Sequence, residues 1–410
     1  MILTLFLAAL QTPELAPSEI RVQDLKAHIS FLASEDLEGR ESGRRGGHLA
    51  ADYVETQFRR FGLESIMEDG SYRIPFQLKD LTCYNVVGIV RGTDAEMSKK
   101  YIAVGGHHDH AGIGGPGAMG FPGEIHNGAD DNASGTSGVL ELAQYYAANP
   151  PKHSMIFMTF SAEERGLLGS QALVKSGVLP NKDIMAMINL DMIGRLTDDY
   201  LFIGGMGTAS ELHKVLDPVF AKSDLKLEID DRGEAPSDNT SFFHAGIPAL
   251  FFFSNIHSDY HMPGDDADKI NYKGLARILT LVRSTIDRLD QESDLTFRDF
   301  GGMGMPKDFN KRMSNHYREI SERRAMKGKL GVRAGVEEGS AGLRVESVST
   351  GSGAEAAGLE AGDLLLEING RATTSLAELR RALGGGLKGD EITLAIERLG
   401  KRIELKATLH

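Results

Sequence analysis

The sequence predicts an α/β protein: a mostly parallel mixed sheet with helices on both faces, followed by a small β-rich module. Three observations lead there. From residue 85 to 290, near-continuous apolar runs of strand length alternate with amphipathic runs of helix length, the pattern of strands buried under crossover helices. Short clusters of acids and imidazoles recur where the apolar runs stop, at the strand ends where such sheets bind ligands. After Gly328 the pattern changes to short strands around one helix, a compact unit of about 80 residues.

Taken in order, Ile2 to Leu10 is apolar except for Thr4, and the chain turns polar before Pro17. Residues 1–17 are therefore expected to be an atypical secretory signal, lacking a preceding Lys or Arg, and the protein to be secreted or periplasmic. The segment is too short to span a bilayer, and no later stretch is long and apolar enough for a transmembrane helix. Val22, Leu25, Ile29 and Leu32 recur at helical spacing. A glycine-rich loop over Glu38–Gly43 follows, then a second helix with Ala50, Val54, Phe58 and Phe61 inward and Gly62 as its stop.

Strands are expected at 85–90, 101–105, 155–160, 184–190, 201–203 and 248–253, and helices at 134–147, 166–175, 210–222 and 272–289. Residues 112–123, rich in Gly and Pro, predict a surface loop near the cleft. Residues 291–327 are polar with interleaved charges and read as a linker with a solvent-exposed helix. The terminal module, 328–410, has expected strands at 343–348, 364–368, 392–396 and 403–407 and a helix at 376–383. The main domain is expected over 18–290.

Apolar residues make up 41% of the chain and charged residues 25%, ordinary for a globular protein. The formal net charge of -13 argues against nonspecific binding to nucleic acid or anionic membrane, which requires a basic surface. The single cysteine, Cys83, excludes an intrachain disulfide framework and a thiolate zinc cluster; its neighbours Tyr84, Val86 and Val87 place it in a buried strand.

The clusters are His107-His108-Asp109, Asp130-Asp131, Glu163-Glu164, Asp191 and His261. Two metal ions about 3.5–4 Å apart need one bridging acid, one His and one acid per metal, and a free general base. The clusters supply each part once. Asp109 is spaced to accept the second ring N–H of His107 and fix its tautomer. Neighbouring side chains diverge, so one of Glu163 and Glu164 can coordinate while the other faces substrate as base. Singly these signals are weak, and Asp131 and Asn132 could simply cap the following helix. Their joint occurrence at successive strand ends is hard to attribute to solvation.

The order GGHHDH, NGADDNASG, SAEERGLLGS, INLDMIGR and DYHMPGDDADKIN resembles the co-catalytic di-zinc metallopeptidases of the bacterial leucyl aminopeptidase and glutamate carboxypeptidase type. The early segment LASEDLEGRESGRRGG is similar to that family's amino-terminal region, so the resemblance runs from about residue 22 to 290. It implies a three-layer α/β/α fold and two Zn2+ per chain. His107 and Asp191 would bind one zinc, Glu164 and His261 the other, and Asp130 would bridge them. Glu163 would be the general base and Asp109 would orient His107. The family often carries an inserted protease-associated domain, for which the interval here is too short. Asn239, in Ser237-Asp238-Asn239, stands where the family commonly has His. His110, His126 and His257 are expected to be neighbours of the ligands or surface residues.

In the terminal module, Gly328-Lys329-Leu330-Gly331-Val332, Ala354–Asp363 and the run Leu364–Gly370 look like a PDZ domain of the kind attached to exported bacterial proteases. Such domains add an extended peptide as a strand and capture its carboxylate on a glycine loop. By resemblance, Leu330, Gly331 and Val332 would form that loop, with protein or peptide C-termini as partners. The alternative is that the module only stabilises or positions the enzyme. The expected activity is a zinc exopeptidase acting on peptides, an aminopeptidase first. The alternatives are a carboxypeptidase or other amide hydrolase on the same scaffold, or a non-catalytic peptide-binding adaptor. The complete two-metal set speaks against the single-zinc glutaminyl cyclases of related fold.

Overall fold

The structure is a computed structural model that describes residues 19–115, 117–120, 123–337 and 339–410. The expected signal segment lies outside the described residues. Helices α1 (Val22–Leu32) and α2 (Arg45–Phe61) precede strands β1 (Glu64–Ser65), β2 (Arg73–Leu78), β3 (Leu81–Val90) and β4 (Tyr101–His107). Then come α3 (Gly135–Ala148), β5 (Ser154–Phe160), α4 (Leu168–Lys175), β6 (Ile184–Leu190), β7 (Tyr200–Gly204) and α5 (Leu212–Phe220). β8 (Lys226–Ile229), α6 (Asn239–Phe243), β9 (Ala249–Phe253) and α7 (Tyr272–Leu289) complete the larger unit.

The sheet runs β1-β3-β5-β4-β6-β9-β7-β8, with β2 paired to β3. Its centre is parallel: β4 pairs in parallel with β5 and β6, and β6 with β9. β3 and β7 join that centre antiparallel, so the sheet is mixed as expected. The carboxyl ends of the parallel strands fall at His107, Phe160, Leu190 and Phe253, which gathers the polar clusters along one edge.

Strand alternation divides the core in two. Ile102 and Val104 of β4 and Met155 and Phe157 of β5 pack with α1, α2, α3, α5 and α7. Ala103, Ile156, Met158 and Phe160 face the opposite layer, built on Leu173 of α4 and Phe242 and Phe243 of α6. Both faces are covered, which is why these strands carry no polar alternation. The short edge strands β1, β2 and β8 were not expected; their half-exposed, mixed sequences carry no such signal. Cys83 is buried, as read from its neighbours.

The stretch from 291 to 327, expected to be a linker, is fastened to the larger unit. Phe297 bridges Ala209 and Met303 bridges Glu234. Helix α8 (Phe309–Ala325) lays Phe309 and Met313 against Met192, Phe251, Phe253 and Ile256. Its charged residues face solvent, and burying the Phe309, Met313, His316 and Ile320 stripe is what seats it.

The carboxyl-terminal unit comprises β10 (Val332–Val336), β11 (Leu343–Val348), α9 (Gly353–Ala356), β12 (Leu364–Ile368), β13 (Arg371–Ala372), α10 (Leu376–Ala382), β14 (Glu391–Arg398) and β15 (Lys401–Thr408). It is an antiparallel sheet in the order β10-β11-β12-β14-β15, with β13 on β12, around a core of Leu330, Leu343, Leu365, Ile368, Leu394 and Ile396. Among the described residues no helix is long and apolar enough to cross a membrane.

One buried cation ties the amino-terminal helices to the strand-end turns. Arg40 is fully buried; its guanidinium donates to the carbonyls of Leu32, Asn127, Gly128 and His108 at 2.6–2.9 Å. Removing it takes a charged donor from four buried carbonyls, of which Gly128 O keeps a second donor, Ala133 N at 3.1 Å. Arg40→Met is expected to destabilise the domain by about 3 kcal/mol or more, read as a lower urea midpoint; an unmoved midpoint would refute the clamp.

Candidate metal centre

Where β4 ends, His107 projects into a cavity of about 270 Å³ with Asp131, Glu163, Glu164, Asp191 and His261. His107 Nε2 lies 3.4 Å from Asp131 Oδ1 and 3.4 Å from Asp191 Oδ1. His261 Nε2 lies 3.1 Å from Asp131 Oδ2 and 3.3 Å from Glu164 Oε2. One carboxylate, that of Asp131, thus stands between two imidazoles, each with a further acid beside it.

The expected bridge, Asp130, is elsewhere. Its Oδ1 accepts from Ser134 Oγ and Gly194 N, and its Oδ2 lies 3.2 Å from His257 Nε2. The reason is local. The turn over Ala129–Ser134 departs from helical geometry at Asp131 and Asn132, and the two aspartate side chains leave it in different directions. Asn132 Oδ1 accepts from Gly135 N at the start of α3, and Asn132 Nδ2 donates to Leu190 O at the end of β6. A Cβ on Gly135 would meet both Asn132 Oδ1 and Leu190 O at 2.3 Å, so only glycine lets the turn sit this close to the strand. Asp265 Oδ2 accepts from the backbone N–H of both Asp130 and Asp131, at 2.8 and 3.0 Å.

The other acids are tied by one oxygen and open at the other. Ser237 Oγ donates to Asp191 Oδ2 at 2.6 Å, while Asp191 Oδ1 has no hydrogen-bond partner among the described residues. Glu164 Oε1 lies 2.7 Å from His110 Nδ1, leaving Oε2 toward His261. Asp109 holds His107 by a different atom than expected: His107 Nδ1 is 3.2 Å from the Asp109 carbonyl and 3.7 Å from its carboxylate. The carboxylate accepts from Ser42 Oγ and from Glu163 N. Asp109 therefore also fixes the backbone from which Glu163 projects.

Glu163 reaches the cavity with its carboxylate free of hydrogen bonds among the described residues, 3.8 Å from His107 Nε2. Ala162, just before it, Met192, just after Asp191, and His261 all have left-handed backbone (φ +59°, +49° and +54°). Non-glycine residues hold that region at a cost of order 1–3 kcal/mol, and here it turns the chain sharply enough to aim the acids inward.

The electrostatics say what the cluster fits. Burial pushes the Glu163 carboxyl well above its ordinary value; His107 opposes this, and Glu164, Asp191 and Asp238 reinforce it. Burial also raises Asp191, against His107. Burial would lower His261, yet Glu164 and Asp131 hold it up at about 10. His107 is likewise held well above its usual value by Glu163, Asp191 and Asp131 against the effect of burial. Four carboxylates face two imidazoles, more buried negative charge than those rings can balance. Oxygen and imidazole donors whose ligand atoms lie within 4.8 Å of one another suit divalent cations.

Of the residues expected at the site, His107, Glu163, Glu164, Asp191 and His261 come together and Asp130 does not. Asp131, read from the sequence as a possible helix cap, lies in the cavity instead, and Ser237 and Asp265 were given no role; Asp265 sits in the run Gly264-Asp265-Asp266, where its own cluster was a signal. His110 and His126 are buried beside the ligand candidates Glu164 and His261, His126 Nδ1 lying 3.0 Å from His261 O, and His257 lies beside Asp130. Asn239 donates to Gly233 O and stays out of the cavity. Phe251 and Phe253 line the cavity, while Phe252 and Phe242 pack in the two cores. In the terminal unit, Leu330, Gly331 and Val332 line a groove of about 430 Å³ with Leu379, Arg380 and Leu383 of the α10 region.

Residues 85–286 match peptidase family M28, and residues 328–409 match the PDZ domain. The chain carries an M28 peptidase domain and a PDZ domain. It is 29% identical over 259 residues to leupeptin-inactivating enzyme 1 of Streptomyces exfoliatus, covering 62% of this chain and 53% of that protein. It is 29% identical over 223 residues to leucine aminopeptidase 1 of Chaetomium globosum, covering 50% and 52%. The chain thus spans about half the length of these curated relatives. In fold, it matches a zinc aminopeptidase of Bacillus subtilis with a TM-score of 0.54 at 17% identity, over 69% of this chain and 100% of that one. The M28 match contains the candidate ligands from His107 to His261 and stops before α8.

The geometry separates the two neighbouring aspartates. After dialysis against zinc ions, Asp131→Asn is expected to lose both bound metals and Asp130→Asn to retain most of them, measured by elemental analysis. The reverse order would restore Asp130 as the bridge.

Proposed function

We propose that the protein is a zinc-dependent aminopeptidase that releases single residues from the amino end of peptides. The observation that carries this is the Asp131 carboxylate standing between His107 and His261, with Asp191 and Glu164 beside them. His107 and Asp191 would hold one zinc, His261 and Glu164 the other, and Asp131 both. When bound, the two ions supply Lewis acidity that polarises the scissile carbonyl and acidifies water.

The protein's own groups do the rest. Glu163, whose carboxylate accepts no hydrogen bond among the described residues, takes the proton of the attacking water and returns it to the leaving amine. Asp109 keeps Glu163 in place through its backbone N–H and holds His107 so that Nε2 faces the cavity. The cavity lining includes no Lys or Arg among the described residues. A carboxypeptidase would need a cationic side chain to hold the substrate's terminal carboxylate, and the described lining offers none. That is the reason for preferring an aminopeptidase to a carboxypeptidase.

The groove of the PDZ domain supports a second role, capture of an extended peptide or protein C-terminus between β10 and α10. Leu330, Val332, Leu379 and Leu383 give it an apolar floor, and Lys329 and Arg380 a basic rim. Export is the compartment proposed, on the apolar run Ile2–Leu10 alone.

Glu163→Gln is expected to keep its metals and lose about 10²–10⁴-fold in kcat, assayed on aminoacyl p-nitroanilides. Acetylating the amino group of the substrate should abolish cleavage by the wild type; equal cleavage of blocked and free peptides would exclude an aminopeptidase. In the groove, Leu383→Glu should weaken turnover of long peptides and spare aminoacyl anilides. Equal effects on both would leave the PDZ domain a positioning role.

A further inference from the structure

The only described residues lining the metal-site cavity from beyond the M28 match are Met305 and Phe309. They sit on a strap, residues 297–316, that is fastened at close intervals. Gly304 N donates to Glu234 O at 2.7 Å, Asn255 Nδ2 donates to Asp308 Oδ1 at 2.8 Å, and His316 Nε2 lies 2.7 Å from Tyr260 O. The first contact sets Met305 and the second sets Phe309, the side chain on the first turn of α8. Both pack with the apolar cluster that includes Met192, Phe251, Phe253 and Ile256. The cavity therefore has two ends: carboxylates and imidazoles at one, and an apolar wall at the other that the strap completes. Its volume, about 270 Å³, falls below the usual range for drug-sized ligands and suits one side chain.

We propose that Met305 and Phe309 are specificity-determining residues, and that the strap makes the enzyme select a large apolar side chain on the residue it releases. This rests on the aminopeptidase reading for the identity of the substrate, and on the cavity alone for the preference. A leucine or phenylalanine side chain reaching past the metal ligands meets Phe309 and Met305; an alanine side chain does not reach them. A side-chain contact of this kind discriminates by roughly 10–200-fold. Removing the aromatic ring should therefore cost the large substrates and leave the small one untouched, which a merely structural role for α8 could not produce.

The experiment uses the zinc-loaded full-length protein and the variants Phe309→Ala, Met305→Ala and Phe309→Leu, with Tyr317→Ala on the exposed side of α8 as control. kcat/KM is measured for leucyl, phenylalanyl and alanyl p-nitroanilides, and binding of free L-leucine and L-alanine by calorimetry. The expected result is a fall of about tenfold or more for leucyl and phenylalanyl substrates in Phe309→Ala. Met305→Ala should give a smaller fall in the same direction, alanyl cleavage should stay within about twofold, and Phe309→Leu should recover part of the loss. Equal losses on all three substrates, or an unchanged leucine-to-alanine ratio, overturn the proposal. If the wild type cleaves no free-amino substrate but binds leucine over alanine in a Phe309-dependent way, the activity is wrong and the pocket stands. A wild type that binds leucine no better than alanine removes the pocket.

Discussion

Everything at the carboxyl edge of the sheet answers to one constraint, four carboxylates held out of water within one cavity. Buried charge of one sign is tolerated only with compensation, and the protein supplies it asymmetrically. Asp191 has one oxygen bound by Ser237 and the other open; Glu164 has one oxygen at His110 and the other toward His261. Asp131 alone turns both oxygens to imidazoles on the cavity wall. Tying one oxygen fixes the direction of the other, so the free lone pairs converge without the acids touching each other. An arrangement built for stability alone would have closed those oxygens with donors, as it did for Asp290, which takes two backbone N–H groups and His153.

The parallel centre of the sheet makes the convergence possible. His107, Glu163 and Asp191 lie at or just beyond the ends of β4, β5 and β6, which are adjacent in the sheet, so residues more than eighty positions apart arrive within a few ångströms. This is also why so much was legible. Continuous apolar strands need no register to be recognised, and charge at their ends contradicts burial unless it serves a site. The strands at 101–107, 154–160 and 184–190 and the helix at 272–289 were readable for that reason. The edge strands β1, β2 and β8 are short and half polar, and only their pairing defines them.

The choice between Asp130 and Asp131 was illegible for a different physical reason. Adjacent residues diverge in any conformation, and which one faces the cavity depends on backbone angles within an irregular turn, set by Asn132, Gly135 and the distant Asp265. Glu163 and Glu164 raise the same ambiguity, and there the resemblance to a family, rather than spacing, chose between them. The strap was hidden by its polarity, though Phe309, Met313, His316 and Ile320 follow one another at helical spacing. Four residues on one face of an otherwise polar helix mean a partner surface, which for Phe309 and Met313 is the apolar cluster beside the cavity and for His316 the Tyr260 carbonyl.

His261 shows why loop and strap matter to chemistry. Like Asp131, and unlike His107, Glu164 and Asp191, it follows no strand end closely; β9 stops at Phe253, eight residues earlier. Its left-handed backbone has no hydrogen-bonded strand neighbour to enforce it. Substitutes come from two sides. The glycine-rich loop gives Gly117 O at 2.9 Å from the ring Nδ1 and Met119 N at 2.8 Å from the His261 carbonyl. Helix α8 gives His316, 2.7 Å from the carbonyl of the preceding Tyr260. With Nδ1 committed to Gly117, Nε2 is the nitrogen left for the cavity, and the segment is held from both sides of the peptide that carries it. Gly117 and Met119 of the glycine-rich loop and a helix outside the M28 match thus do for His261 what sheet pairing does for His107, and the same helix closes the apolar end of the cavity.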